Sequence, residues 1–257
     1  MAAESRIDPM HQFQIHPIAG NLDGSPFVFT NSALWMLIVL FLVWLFMVGG
    51  MKRQLVPGRW QAAAEGMTGF ITSMLDTNVG PEGRKFVPWV FTVFMFILFA
   101  NLLGMMPLAI VGVHPFTVTS QFTVTGVMAV ISFSIVIITG IWRHGFKFLS
   151  LFIPHGTPAV LLPLIFLIEL LSFMVRPFSL ALRLFVAMIA GHILVEVFGT
   201  FIVQGINAGG VAGPAISLLS FLFIAFVIIL EILVSAIQAY VFALLTSLYI
   251  ADAVNLH

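Results

Sequence analysis

Charged side chains lie inside two long apolar segments near the carboxyl end of the sequence, where burying a charge is costly. Arg183 stands within Leu180–Ala187, and the surrounding apolar segment covers about 158–203. Its guanidinium stays protonated because its pKa is above about 12. Near a bilayer centre such a charge costs from roughly 3 to more than 10 kcal/mol. Ionisable residues at this depth usually face a protein interior, a wet cavity or a partner carboxylate, so Arg183 is predicted to be functional.

Other titratable residues share the first of these segments. Glu169, Arg176 and Arg183 are spaced by seven and therefore fall on one face of a helix that turns about 100° per residue. His192 lies nine residues past Arg183, on the opposite side, and Glu196 follows one turn later.

The second apolar segment carries a polar face of its own. Glu231, Ser235, Gln238 and Tyr249 recur at offsets that place them on one side of a helix. If the two segments form an antiparallel hairpin, Glu231 comes within reach of His192.

Two groups of titratable side chains therefore flank a permanent cation. One contains Glu169, and the other contains His192 and Glu196 with Glu231 within reach. Titratable groups relay protons, whereas a fixed cation repels them. Two wet pathways separated by Arg183 would carry protons partway from each side without a continuous leak.

Packing roles for the same residues stay open. A buried arginine such as Arg183 can cap a neighbouring helix, a histidine can simply pack, and Glu169 with Arg176 can be a structural ion pair. Pairing lowers the cost of charges at mid-membrane depth but does not explain their presence on two adjacent long helices.

The composition predicts an all-α integral membrane protein. Of 257 residues, 61% are hydrophobic and 8% charged, whereas soluble domains are about 25% charged. The apolar runs are continuous rather than alternating, which argues against a β-barrel. Acidic and basic residues balance at ten each, without a basic patch for nucleic acid. No cysteine is present, and the spacing of the histidines predicts no metal site, with His192, Glu196 and Glu231 as a weak alternative. No cofactor is predicted.

Five membrane helices and one interfacial amphipathic helix are predicted. The amphipathic helix covers 60–76, where apolar residues recur at helical spacing between polar ones. Residues 1–26 form a polar segment on the outer side that lacks the order of a signal peptide. The glycine-rich stretch Gln204–Gly213 predicts a turn. The single membrane domain, 27–257, has spans at 27–48, 86–110 and 122–142 and long apolar segments at 158–203 and 213–251.

The last two segments are longer than a bilayer is thick. A helix of some 45 residues would extend about 65–70 Å, whereas the hydrocarbon core is about 30 Å thick. Each segment is therefore either broken, with Pro163 and Pro177 as candidates, or strongly tilted in an antiparallel hairpin. A tilted pair would leave polar residues at mid-depth, as this sequence has.

Charge placement predicts the orientation. Of ten lysines and arginines, two lie in the apolar segments and Arg6 lies on the outer side. The other seven follow spans one and three: Lys52, Arg53, Arg59, Arg84, Lys85, Arg143 and Lys147. The positive-inside rule then places the amino terminus outside and, after five crossings, the carboxyl terminus in the cytoplasm.

Several stretches, in order along the chain, resemble subunit a of F-type ATP synthases. Pro177–His192 resembles the signature around the family's arginine, and Ala236–Thr246 resembles its second signature. Phe99–Pro107 matches a family helix that carries a polar residue, and Val56–Gln61 matches an early loop. The resemblance covers residues 10–252.

The resemblance implies a stator subunit of the membrane sector, without a catalytic site of its own. Its two long helices would press against a ring of c subunits, whose carboxylates pass Arg183 in turn. Subunit b, or b and b′, the remainder of the F1Fo ATP synthase and the lipid bilayer would be its other partners. The location implied is a cell inner membrane, and the polar amino-terminal segment favours a bacterial one.

Two offset proton half-channels follow from the same resemblance. Protons would cross from the outer side through Asn101, His192, Glu231 and Gln238, travel on the c ring, and leave near Glu169. The additional pathway and supporting residues are Glu196, Arg176, Ser235 and Tyr249.

Two features depart from the pattern of many bacterial members: an exchanged pair of residues and the residue at position 187. Those members have Glu in place of His192 and His in place of Glu231, so the pair is exchanged here, as in members similar to alphaproteobacterial and mitochondrial ones. Many members also have Asn in place of Ala187. The exchange preserves the charged groups, and the relay argument is unaffected.

Two other functions are compatible with buried charges. A proton-coupled secondary transporter is the main alternative, although such folds usually show repeated halves with broken helices, which this sequence lacks. A membrane scaffold, with the charges as ion pairs between subunits, is the other.

Overall fold

Long apolar helices dominate the computed structural model, which describes residues 13–19, 28–51, 56–106, 116–145, 148, 161–208 and 212–255. Five helical stretches in this part of the chain are long and apolar enough to cross a membrane. The predicted all-α membrane fold is confirmed. The elements are β1 Pro17–Ala19, β2 Phe29–Thr30, α1 Asn31–Gly50, α2 Arg59–Asn78, α3 Val87–Gly104, α4 Phe122–His144, α5 Leu162–Ala208 and α6 Ala212–Val254, with 3-10 turns at Pro81–Phe86 and Val118–Ser120.

The first helix begins later than residue 27, where the first span was predicted to start. β2 precedes it and pairs antiparallel with β1, with Pro17 opposite Thr30. The Thr30 hydroxyl accepts a hydrogen bond from the amide of Ala33 at 3.3 Å and so caps α1. The carboxamide oxygen of Asn31 accepts another from the amide of His16 at 3.2 Å. The pairing of β1 with β2 was not predicted, because strands of two or three residues are too short to show a periodic sequence pattern.

α2 packs against the carboxyl end of α1. A Cβ on Gly50 would lie 2.5 Å from the Cβ of Ala64, so only glycine allows this approach. The indole nitrogen of Trp60 donates to the carbonyl oxygen of Phe46 at 3.0 Å. Trp60 is 53% exposed, whereas Ile71, further along the same helix, is fully buried.

α5 is continuous, which excludes the alternative that proline breaks it. Pro177 lies inside the helix without ending it. At about 1.5 Å per residue its 47 residues extend roughly 70 Å, and α6 has 43 residues. Both helices are longer than a hydrocarbon core of about 30 Å is thick, and their strong tilt stays a prediction.

The predicted loop at Gln204–Gly213 is helical as far as Ala208. Gly205 explains the error, because it serves packing rather than a turn. A Cβ there would lie 2.4 Å from Oγ of Ser217 on α6. That hydroxyl donates to the carbonyl oxygen of Ile202 at 3.0 Å, which fixes the start of the hairpin.

The core of the protein lies around α3, and α5 is the long helix with the smallest buried fraction. In the most apolar stretch of the segment that contains α3, half of the residues are buried, whereas 6% are buried in the corresponding stretch of α5. On α5, Leu184 and Met188 are fully buried against the core, as are Ala239 and Phe242 on α6. One face of α5 is therefore fixed to the protein, and its opposite face is open.

The carboxyl end of α6 is fastened to the end of α2. Asn78 donates from its amide nitrogen to Oγ of Ser247 at 2.8 Å. Asn255 donates to the carbonyl oxygen of Val79 at 3.3 Å. These hydrogen bonds fix the end of the helix that carries Asp252.

Candidate functional site

Arg183 lies on the open face of α5. Its side chain is exposed, whereas Leu180 and Leu184 on either side are buried. It makes no hydrogen bond or ion pair with any residue that the structure describes. An arginine normally acquires a partner when it leaves water. Arg183 therefore presents an unpaired positive charge toward whatever covers this face.

The open face is an apolar surface interrupted by this charge. Val175, Val186 and Leu194 lie eight residues before and three and eleven residues after Arg183, on the same side of the helix, and all are about half exposed. Such a face, with one charge at its centre, is suited to contact with another membrane helix that carries a carboxylate.

His192 and Glu231 meet across the hairpin. Nδ1 of His192 lies 2.6 Å from Oε1 of Glu231 and 3.0 Å from the carbonyl oxygen of Met188. Only 5% of Glu231 is exposed, and Oε1 has no hydrogen bond of good geometry. The short distance brings the two groups into contact, and they form a charge pair whenever the ring is protonated and the carboxylate is ionised. A proton can pass directly between the ring nitrogen and the carboxylate.

The second ring nitrogen of His192 faces two oxygens. Nε2 lies 2.6 Å from the hydroxyl oxygen of Thr117 and 3.3 Å from the carbonyl oxygen of Gly104. The Thr117 hydroxyl can either donate or accept, so it can follow a change in the protonation of the ring. Thr117 was missed by the sequence analysis because a hydroxyl in a short turn carries no distinctive spacing.

Asn101 lies in the same polar region. It is fully buried, and its oxygen accepts a hydrogen bond from the hydroxyl of Thr119 at 2.6 Å. Its amide nitrogen donates to the carbonyl oxygen of Ser235 at 3.5 Å. The Ser235 hydroxyl, one turn after Glu231, donates to the sulfur of Met105 at 3.1 Å. Thus α3, α6 and the 3-10 turn at Val118–Ser120 bring Asn101 and Ser235 next to the charge pair.

Two other predicted residues lie beside this region without joining the charge pair. Gln238, two turns beyond Glu231, is half-buried and makes no hydrogen bond with another described residue. Glu196, one turn beyond His192, is also half-buried. The carboxylate that lies against the imidazole is that of Glu231.

A second polar cluster surrounds Arg176. Its guanidinium donates to Oδ2 of Asp252 at 2.7 Å and lies 4.0 Å from Oε1 of Glu169. It also lies over the rings of Phe173 and Tyr249, 5.5 and 5.2 Å from the centroids. The spacing of seven correctly placed Glu169 near Arg176. Asp252 was missed because, at the end of the chain, it reads as a solvated charge.

Arg183 lies between the two clusters along the axis of α5. At about 1.5 Å per residue, His192 is roughly 14 Å away in one direction and Arg176 roughly 10 Å in the other. Tyr249 is within electrostatic reach of both arginines. The predicted order of titratable group, cation and titratable group is therefore preserved along the helix.

This arrangement defines a class of protein: a polytopic helical membrane protein with separate titratable clusters on either side of an outward-facing arginine. The family described as ATP synthase A chain matches residues 32–251, and the chain belongs to this family. As a member it is a subunit of the ATP synthase membrane sector.

Related proteins agree with this assignment. Proteins named ATP synthase subunit a from Rhizorhabdus wittichii and Sphingopyxis alaskensis are 62% and 61% identical to the chain, with 100% of both chains covered in each comparison. A third, from Zymomonas mobilis, is 53% identical, again over 100% of both.

The glycine beneath Glu231 offers a test of the charge pair. A Cβ on Gly191 would lie 2.7 Å from Oε1 of Glu231, so Gly191→Ala should displace the carboxylate from His192. Moving the carboxylate away from the ring weakens proton transfer between them, so proton pumping should fall roughly tenfold or more, out of the 10²–10⁴-fold that a positioned acid or base contributes. ATP-driven acidification of vesicles that contain the assembled complex measures it.

Gly199 provides the matched control. It lies two turns later on the same helix, and a Cβ there would meet nothing within 4 Å. Gly199→Ala should pump at the rate of the unmodified protein. Equal losses in the two variants would show that a longer side chain on α5 is harmful wherever it is placed, and would remove the support for the charge pair.

Proposed function

We propose that this chain is the stator subunit that supplies two offset proton half-channels to a ring of c subunits, with Arg183 as the barrier between them. The observation that carries the proposal is the unpaired, outward-facing guanidinium between two clusters of titratable groups. A carboxylate on a moving neighbour would be attracted to this charge, and a free proton would be repelled by it.

The inlet half-channel contains the His192 cluster. His192 and Glu231 exchange protons across the hairpin, and Asn101 with Ser235 supplies fixed polar atoms beside them. Gln238 extends this polar face along α6. The other inlet group is Glu196, one turn beyond His192.

The exit half-channel contains Glu169. Its carboxylate accepts the proton released by a c-subunit carboxylate that has passed Arg183. Arg176 lies 4.0 Å from this carboxylate and is itself covered by the ring of Tyr249, so the exit is electrically distinct from the inlet. The pairing of a c-subunit carboxylate with Arg183 must be temporary, and it can be, because the desolvation of the two charges offsets much of their Coulomb attraction.

The assembly around the chain follows from the same proposal. The c ring lies against the open face of α5, and subunit b, or b and b′, connects the chain to the remainder of the F1Fo complex. The chain lies in a cell inner membrane with its amino terminus outside. The basic loops after α1 and α4 support this orientation, because they are expected in the cytoplasm.

A proton-coupled secondary transporter is less well supported. Such a protein would bind its solute at mid-membrane depth between its own helices. Here Arg183 points away from the protein, toward a surface that a separate chain can cover. A moving partner, rather than a dissolved solute, is the carrier that this geometry suits.

A single introduced cysteine tests where the c ring lies. The chain has no cysteine of its own, so Val186→Cys, one turn from Arg183 and 54% exposed, can carry a photoreactive crosslinker. After illumination of the whole complex, an adduct of this chain with one c subunit should appear on immunoblots. The cysteine-free natural chain gives the background from cysteines of other subunits.

Ile138→Cys is the control for position. Ile138 is 62% exposed on α4, where it lines a cavity with Lys85 and Arg143 that does not include Arg183. It should give no adduct with the c subunit. If Ile138 reacted with the c subunit as well as Val186, or if Val186 did not react, the proposed ring contact would be wrong.

A further inference from the structure

Arg176 lies between two carboxylates and is much closer to one of them than to the other. One end of its guanidinium donates to Asp252 at 2.7 Å, a charge-assisted hydrogen bond. The other end is 4.0 Å from Glu169, which is beyond hydrogen-bond distance. Arg176 therefore pairs mainly with Asp252.

Two aromatic rings help to hold the guanidinium of Arg176 in this position beside Asp252. Phe173 on α5 and Tyr249 on α6 both lie within cation–π distance of the guanidinium, at 5.5 and 5.2 Å. Asp252 is held in turn, because the end of α6 is hydrogen-bonded to the end of α2 through Asn78 and Asn255. Asp252 is thus a fixed anchor on one helix for a cation on the other.

We propose that Asp252 is a positioning residue of the exit pathway: it holds Arg176 away from Glu169 and so leaves Glu169 able to take up and release protons. This inference rests on the proposed function, since it assumes that protons leave through Glu169.

The physical reason is competition for one cation. An ion pair at hydrogen-bond distance favours the charged form of a carboxylate. If Arg176 turned fully to Glu169, that carboxylate would stay ionised and would accept protons poorly from the c ring. Asp252 prevents this by satisfying the guanidinium first.

A purely structural role makes a different prediction. If the Arg176–Asp252 pair only clamped α5 to α6, removing either partner or both would break the same clamp. Three variants, Asp252→Asn, Arg176→Gln and the double variant, would then lose activity together, and the amount of assembled complex would fall with it.

If Asp252 instead positions Arg176, the activities of the variants should fall in a different order. In Asp252→Asn the cation remains and turns to Glu169, so ATP synthesis and ATP-driven proton pumping should both fall about tenfold. Adding Arg176→Gln removes the cation that locks Glu169, so the double variant should be faster than Asp252→Asn alone and should match Arg176→Gln. Asp252→Glu, which keeps the charge, should retain most of the activity.

The test uses the whole ATP synthase, purified and reconstituted into vesicles, with each rate divided by the amount of assembled complex. Asp76→Asn, which breaks the exposed Asp76–Arg84 ion pair, is the matched control and should leave both rates unchanged. A double variant no faster than Asp252→Asn, or Asp252→Glu as slow as Asp252→Asn, would overturn the inference. Arg183→Ala is measured in parallel: if it loses coupling while the double variant shows no recovery, only the role of Asp252 fails. If Arg183→Ala stays coupled, the proposed function fails as well.

Discussion

Replacement of Arg183 with alanine is expected to abolish coupled ATP synthesis and to open a passive proton leak. At an effective dielectric constant of 20, a unit positive charge that approaches the guanidinium within 4 Å meets a repulsion of about 4 kcal/mol. Since 1.36 kcal/mol is a factor of ten in rate, the leak past position 183 should rise by roughly a thousandfold. The measurements are ATP synthesis under an imposed proton gradient and the decay of that gradient without nucleotide.

Two controls separate the loss of the barrier from loss of structure. Arg84→Ala removes an exposed arginine whose ion pair with Asp76 contributes little, and it should leave both rates unchanged. Arg183→Lys keeps a charge at the site, but an ammonium can lose its proton when it is desolvated, so an intermediate leak is expected. Full coupling in Arg183→Ala, with the complex assembled, would refute the barrier.

Those features of the site that depend on spacing along one helix could be predicted from the sequence. Residues spaced by seven must lie near one another, and the structure places Glu169 beside Arg176. The contact of His192 with Glu231 needed one further assumption, that the two long segments form an antiparallel hairpin. The structure has this arrangement, because contacts between the two helices run in opposite order along them: Gly205 with Ser217, His192 with Glu231 and Arg176 with Asp252.

Contacts that depend on the register of the hairpin or on irregular turns could not be predicted. The register is fixed by the glycine contact of Gly205 with Ser217, but the glycine was read as part of a turn. With the turn misplaced, nothing indicated that Asp252 would lie opposite Arg176. Thr117, which contacts His192, immediately precedes a 3-10 turn of three residues, and so short a segment has no periodic pattern.

Changes to the His192–Glu231 pair are expected to have the second large effect on proton pumping. Glu231→Gln should reduce ATP-driven proton pumping roughly a hundredfold or more, because an amide cannot exchange a proton with the His192 ring and a positioned acid or base contributes about 10²–10⁴-fold to a rate. The reversed pair, His192→Glu with Glu231→His, should recover at least about a tenth of the native rate, since both a titratable carboxylate and an imidazole remain across the hairpin. Gly191, which has no Cβ, leaves room for an imidazole at position 231. Recovery should be incomplete, because a carboxylate at position 192 would face the carbonyl oxygen of Gly104.

A neutral double variant separates proton transfer from packing. His192→Gln with Glu231→Gln keeps hydrogen-bonding groups of similar size but has no group that titrates, so the complex should assemble and yet pump no protons. The reversed pair should assemble equally well and pump. If the neutral pair pumped at the native rate, protons would bypass His192 and Glu231, and the inlet pathway would have to lie elsewhere. A reversed pair that assembled fully but stayed as slow as the neutral one would instead show that the two positions have distinct roles, set by Thr117 and Gly104 on one side and Gly191 on the other.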